Sequence, residues 1–353
     1  MKALIGMSGG VDSSVAAYLT QQGGFSCLGA TMRLYTGQDQ PDCCTADDVS
    51  DARAVAERLG IPFYVFDLSQ EFQAHVMDDF VFAYEQGLTP NPCIQCNRHL
   101  KFDHFLRQAQ KLACDYIVTG HYARITEDPV TGRFLLQKAQ DEAKDQSYFL
   151  YKLTQHQLQH TRFPLGSLTK AQTRVIAEQC GFLNAKKRDS QDICFVPDGD
   201  YMAFLRRYTG KHYPSGDFVD LQGRVIGKHK GAVCYTLGQR KGLNLAMGEP
   251  VYVCSKDMHK NTVTVGPNEA LFHTTLLANN WNWIAIDALT QPIRGKAKAR
   301  SRMVEQSATV YPETDGFARV VFDEPQRALT PGQAIVVYDG DTVIGGGTIA
   351  QVL

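Results

Sequence analysis

Ser8-Gly9-Gly10-Val11-Asp12-Ser13-Ser14 follows the apolar run Ala3-Leu4-Ile5-Gly6-Met7 and precedes Val15-Ala16-Ala17-Tyr18-Leu19. The first flank reads as a short buried strand and the second as a helix start. Strand, glycine turn and helix start together aim several backbone N–H groups at one anion. Two adjacent glycines let that anion approach the backbone closely. Ser8, Ser13 and Ser14 add hydroxyl donors. Asp12 adds a carboxylate, which sits badly beside a phosphate unless a divalent cation lies between them. The Gly-Lys-Ser/Thr ending of a Walker A loop is missing, as is the Gly-x-Gly-x-x-Gly spacing of a dinucleotide loop. A plain strand-to-helix turn with serine caps needs fewer glycines than this block holds.

Around this stretch, residues 1 to about 125 alternate strands and helices. Cys27–Met32 and Phe63–Phe66 are apolar enough for buried strands. Asp47–Leu59 has helical periodicity closed by Gly60 and Pro62. Glu71–Gln86 and Asp103–Ala113 are further expected helices, and Tyr116–Gly120 a further strand. The alternation predicts an α/β fold with a doubly wound parallel sheet, whose ligands gather beyond the carboxyl ends of the strands. The loops after Met7, Met32 and Thr119 should therefore converge. Residues 126–139 suggest a hairpin and Lys170–Gln179 a helix. Beyond about residue 200, glycine, proline and short β-rich runs take over. The expected organisation is a catalytic domain over 1–200, a small β-rich domain over 201–268 and a C-terminal antiparallel β-barrel over 269–353.

The 353 residues carry a net charge of −1, with 44% hydrophobic and 21% charged residues. That is ordinary globular composition, and only local patches can speak for a nucleic-acid partner. The N-terminus enters a strand directly, without a signal-peptide pattern, and no apolar run is long enough to span a membrane. The expected location is cytoplasmic. The ten cysteines should then be reduced and serve catalysis, metal binding or core filling. Cys27, Cys114, Cys180, Cys234 and Cys254 are expected core residues. Cys93 and Cys96 form a Cys-x-x-Cys after Thr89-Pro90-Asn91-Pro92, where two prolines impose a loop. Cys96 should stand at or near the next helix N-terminus, where the helix dipole, Arg98 and Lys101 favour a thiolate. Zinc wants four ligands, and no second Cys-x-x-Cys appears; the adjacent Cys43 and Cys44 suit one ligand more than two. The remaining reading is a reactive pair completed by Cys194, which also has basic neighbours in Lys186-Lys187-Arg188.

The SGGVDSS block resembles the pyrophosphate loop of the N-type ATP pyrophosphatases. The chain as a whole is similar to the tRNA-specific 2-thiouridylases. The resemblance rests on ordered blocks: Gly6–Ser14; Thr89–Pro92 with Cys96-Asn97; Thr119–Arg124; Lys144–Leu150; Phe163–Gly166; Asp189-Ser190 with Ile193–Phe195; Tyr235–Leu243; and Thr330–Gln333 with Gly345–Gly347. It implies ATP on Gly6, Met7, Ser8, Gly9, Gly10, Val11, Asp12 and Ser13, with Met32 and Gly120, and magnesium near Asp12. It implies Cys96 as nucleophile and Cys194 as persulfide carrier, with Asn91, Pro92 and Cys93 at the target base. It further implies tRNA contacts at His121, Lys144, Asp145, Gln146, Arg300, Ser301 and Gln333. The RNA partners would be the lysine, glutamate and glutamine tRNAs, modified at the wobble uridine. Sulfur would come from a desulfurase or relay protein. The Cys93 position is usually aspartate in the family. Three cysteines could instead hold an iron–sulfur cluster on Cys93, Cys96 and Cys194, or Cys93 could be a neutral substitution. The family's aromatic residue after the arginine is replaced by Ser301.

Arg294, Lys296, Lys298, Arg300 and Arg302 alternate with small residues. On a strand, that period places all the charges on one face, suited to a phosphate backbone; an edge strand protected by charge has the same pattern. Arg206-Arg207 and Arg240-Lys241 add basic spots. Two other functional readings fit the same residues: a different adenylating ligase with the same loop, and an ATP- or redox-sensing RNA-binding protein.

Overall fold

The computed structural model describes residues 1–35, 46–185, 187 and 193–353. Cys43, Cys44, Lys186, Arg188, Asp189 and Ser190 lie outside these residues. In order, the chain forms β1 (Lys2–Gly6), β2 (Ser26–Arg33), β3 (Phe63–Asp67), β4 (Tyr116–Val118), the hairpin β5 (Arg124–Glu127) and β6 (Phe134–Gln137), and β7 (Thr161–Arg162). Strands β3-β2-β1-β4-β7 make one parallel sheet. Central β1 is buried on both faces, with Ala3, Leu4 and Ile5 fully enclosed. Ala3 and Ile5 pack with helix α1 (Val11–Gln22) and helix α2 (Ala46–Leu59). Leu4 packs on the other side with Phe102, Phe105 and Leu106. The sheet is doubly wound as expected, and its winding direction reverses between β1 and β4.

A helix over residues 69–85 contains a π-helical stretch, Gln73–Met77. A second helix runs over residues 92–111, with a π-helical stretch Asn97–His104. The expected helix Asp103–Ala113 marks only the later part of that helix, and its N-terminus lies at Pro92 rather than at Cys96. Pro92 occupies its first position, where a missing N–H costs nothing and a fixed φ helps. The proline pair therefore ends a loop at Asn91 and starts a helix in the same place.

The central module pairs β8 (Gly216–Val219), β9 (Val225–His229), β10 (Tyr252–Asp257) and β11 (Thr262–Gly266) in the order β10-β11-β8-β9. The last part holds β12 (Phe272–Trp283), β13 (Ile293–Lys298), β14 (Gln306–Pro312), β15 (Ala318–Arg327), β16 (Ala334–Asp339) and β17 (Thr342–Val352). Pairing of β12 with both β15 and β17 closes these strands into an antiparallel barrel. The β5–β6 hairpin leaves the first lobe and extends this barrel sheet by pairing with β17. No described helix is long and apolar enough to cross a membrane.

The two lobes are tied by residues 144–153, which include the Lys144–Leu150 block. Tyr148 Oη donates to the Ala334 carbonyl at 2.9 Å and Tyr151 Oη to the Gly347 carbonyl at 3.3 Å. Asn282 Nδ2 returns a bond to the Leu153 carbonyl at 2.9 Å. Glycine at 346 is needed for this seam: a Cβ there would lie 2.5 Å from the Tyr151 ring and 2.9 Å from the Ile335 carbonyl oxygen. Gly346→Ala is expected to lower stability by about 1–3 kcal/mol through overpacking, read as a lower urea midpoint with an unchanged slope.

Candidate active site

Helix α1 begins at Gly10, which supplies no side-chain cap. Its first N–H groups thus point, uncapped, from the carboxyl end of β1 into the crevice at the winding reversal. Gly9 has φ +74°, and a Cβ on it would lie 2.4 Å from the Asp48 carbonyl oxygen. A Cβ on Gly120, just past β4, would lie 2.7 Å from the Ser13 nitrogen. Only glycine lets these three segments meet. The serines divide their work. Ser14 is buried and donates to the Gly10 carbonyl at 3.0 Å. Ser13 Oγ donates to the same carbonyl at 3.0 Å and accepts from the Ser8 N–H at 3.1 Å. Ser8 is exposed toward solvent. Thr31 Oγ1 donates to the Met7 carbonyl at 2.6 Å, coupling the ends of β1 and β2 and placing Met32 beside the crevice. Buried Asn184, which carries no sequence signal, donates Nδ2 to the Gly9 carbonyl at 3.0 Å and to Ser14 Oγ at 2.9 Å.

Asp12 has a different partner from the one its sequence position suggests. Lys170 Nζ lies 2.7 Å from each carboxylate oxygen, and Tyr122 Oη donates to Oδ1 at 2.9 Å. Lys170 opens the helix Lys170–Gln179, which is fixed by a capping box from Thr169 and Gln172. An ammonium thus balances the carboxylate where a divalent cation was expected. In this arrangement both Asp12 carboxylate oxygens are engaged by Lys170.

The cysteines sit around the start of helix 92–111. Cys93 is in the first turn and exposed; Cys96 is one turn further in and buried with Leu100 and Phe195. The residue nearest the helix N-terminus is therefore Cys93. Crowding that sheds water pushes the Cys93 thiol up, Lys101 pulls it down, and the neighbouring Cys194 adds to the rise. Cys194 is exposed, but the next residue is anchored. Phe195 is 1% exposed, with its ring 5.7 Å from Phe72, 5.2 Å from Phe80 and 5.0 Å from Phe204. That aromatic nest holds a residue more than 90 positions away against the Cys93 turn. Arg98 acts instead on Lys152 and Tyr151, toward the barrel. His121 follows Gly120, shares a hydrogen bond with Thr119 Oγ1 at 2.8 Å, and packs on Phe102 and Phe163. Burial, with Lys101 adding to it, holds its pKa well below the usual histidine value, so the ring is neutral.

A family model described as a tRNA methyl transferase HUP domain matches residues 1–198. Models described as a tRNA methyl transferase PRC-barrel domain and an aminomethyltransferase beta-barrel domain match 202–267 and 273–349. The chain is 47% identical to tRNA-specific 2-thiouridylase MnmA of Clostridioides difficile, over 100% of this chain and 99% of that protein. It is 48% identical to the protein of the same name from Acetivibrio thermocellus over 99% of each. The chain belongs to the tRNA-specific 2-thiouridylase family.

Several positions expected to meet RNA in this 2-thiouridylase fold are also used internally. Asp145 accepts from the Ala139 N–H at 3.0 Å and from Ser147 Oγ at 2.7 Å. Gln146 Oε1 accepts from the Tyr122 N–H at 2.9 Å. Gln333 Nε2 donates to the Thr89 carbonyl at 2.8 Å, holding the barrel against the loop that leads to Asn91 and Cys93. Lys144 is half-buried, Arg300 is exposed, and Ser301 is half-buried. The row of alternating charges is shorter than its sequence period. The strand ends at Lys298, so Arg300 and Arg302 stand in the following turn. Arg294 is neutralised by Asp323 across the sheet. Lys187 is paired with Asp48 and Asp51, both at 2.7 Å.

Asn184→Ala removes both bonds to the phosphate-binding turn and leaves the rest of the 2-thiouridylase fold in place. ATP affinity is expected to fall roughly tenfold, as measured by calorimetric titration, with the circular dichroism spectrum unchanged.

Proposed function

We propose that the protein is an ATP-dependent tRNA-uridine 2-sulfurtransferase that replaces the C2 oxygen of a wobble uridine with sulfur. The formation of 2-thiouridine in tRNA with ATP follows from family membership over the full length. The observation that carries the finer reading is the meeting of two half-sites. An uncapped helix N-terminus stands at the end of β1, and the Cys93–Cys194 neighbourhood stands at the start of helix 92–111; Lys101 and His121 lie between them.

ATP binds with its phosphates at the first turn of α1 and its adenine near Met32, while Gly120 allows close approach. The uridine leaves its stack and enters beside Asn91, Pro92 and Cys93. Its C2 oxygen bonds to the α-phosphorus as the bond to the β-phosphate breaks, and the N3 proton is released. Pyrophosphate departs, and the C2 oxygen has become part of a good leaving group. A persulfide on Cys194 attacks C2 through its outer sulfur and AMP leaves. The Cys96 thiolate then attacks the Cys194 sulfur. That breaks the S–S bond, frees 2-thiouridine and leaves a Cys96–Cys194 disulfide for an external thiol to reduce. The sulfur is supplied by a desulfurase or relay protein in the cytoplasm.

An iron–sulfur cluster requires its ligands to converge. Among the described residues, no group of three or more His, Cys, Asp or Glu side chains is gathered as a metal site, and Cys96 is packed in an apolar cluster. The burial of Cys96 among apolar side chains favours the persulfide route, and Cys93, Cys96 and Cys194 are the residues a cluster would need.

Purified protein with ATP, wobble-uridine tRNA and a persulfide donor is expected to yield AMP and 2-thiouridine in equal amounts, by chromatography and nucleoside mass spectrometry. Cys96→Ser and Cys194→Ser should each abolish thiouridine, whereas Cys93→Asp should retain it. Absence of both products from the unaltered protein would sink the enzyme assignment. Loss of activity in Cys93→Asp, together with stoichiometric iron in anaerobically purified protein, would replace the persulfide route by a cluster.

A further inference from the structure

Helix 92–111 carries Cys93, Asn97 and Lys101 at four-residue intervals, and the π-helical stretch begins at Asn97. Four-residue intervals keep side chains on one face of a helix. The three side chains form a stripe that runs from the thiols toward His121 and the end of β4. Asn97 lies in its middle and is only 4% exposed.

Its amide is half used. Nδ2 donates to the Phe149 carbonyl at 3.1 Å. A carbonyl accepts only a donor, so this bond fixes the amide orientation and turns Oδ1 the other way. Oδ1 is buried, and no donor among the described residues meets it. A buried acceptor in that condition calls for an explanation, and a ligand N–H or O–H supplies one.

The one N–H on the pairing edge of uracil is at N3, between the C2 and C4 carbonyls. Cytosine has a lone pair at that atom, and 3-methyluracil a methyl group. We propose that Asn97 Oδ1 accepts the N3–H of the incoming uracil, making it the residue that distinguishes uridine from cytidine at the target position. This rests on the thiolation reading above and adds the determinant of base choice. The bond forms on docking and is given up when N3 loses its proton during adenylation. Its removal is therefore felt in RNA binding and KM more than in kcat.

The test uses the full chain and anticodon stem-loops carrying uridine, cytidine or 3-methyluridine at position 34, with binding measured without ATP. The unaltered protein should bind the uridine loop at least tenfold more tightly than the other two. Asn97→Ala should bind all three within about threefold of one another, and its KM for uridine-34 tRNA should rise about tenfold while kcat changes little. Binding of an ATP analogue at unaltered affinity checks that the variant is folded. Equal binding of the uridine and 3-methyluridine loops by the unaltered protein overturns the proposal without any variant. So does retained discrimination in Asn97→Ala. Thiolation that proceeds with discrimination unrelated to Asn97 defeats this inference alone; no thiolation of uridine-34 tRNA defeats the function it rests on.

Discussion

The closeness of Gly120 to the first turn of α1 is the constraint on which the rest of the site depends. A side chain at that position would stand 2.7 Å from a backbone nitrogen of α1, so β4 can end against α1 only through glycine. That contact brings the carboxyl ends of β1 and β4 together at the winding reversal. It also places His121, the residue after Gly120, against Phe102 of helix 92–111. The nucleotide half and the thiol half of the site are therefore joined through one strand end and one aromatic packing contact. The uncapped N-terminus of α1 contributes fixed positive charge at the end of β1, while the Lys170 ammonium is balanced by Asp12.

A second set of contacts positions the barrel. Gly332 lies so close to Thr89 that a Cβ would be 2.8 Å from the Thr89 nitrogen. The Thr89 N–H donates to the Pro331 carbonyl at 3.0 Å, and Gln333 reaches the Thr89 carbonyl. The loop feeding the Cys93 turn is therefore bordered by the barrel rather than by solvent. With Tyr148 and Tyr151 inserted from the other side, the barrel is held in a fixed register to the Cys93 turn. The Lys144–Gln146 and Gln333 blocks are thus structural members of the lobe seam at least as much as surfaces for RNA.

The sheet, the glycine turn between β1 and α1 and the barrel were legible because each has a local signature: an apolar run ending in paired glycines, or short strands with turn residues between them. What stayed hidden depends on distance in the sequence. Lys170 lies 158 positions from Asp12, and a lysine at a helix start has no periodicity that names its partner. Asn184 and Asn97 are ordinary polar residues until their burial is known. The charge row over residues 294–302 kept its period past the end of β13, because alternation along a sequence does not say where hydrogen bonding to a neighbouring strand stops. The start of helix 92–111 lies one turn before Cys96, where it was expected, because a proline pair signals both a loop and a helix N-terminus, and only the position of Pro92 at the first turn separates the two.

The electrostatics of the cleft give these pieces an order of events. His121 is held neutral; at the Cys93 thiol, local desolvation raises the pKa, Lys101 draws it down and the nearby Cys194 adds to the rise. Lys101 acts on both groups, raising the cost of a second positive charge at His121 and lowering that of a negative one at Cys93. The surroundings of helix 92–111 thus favour an incoming anion over an internally generated one. A phosphate is such an anion.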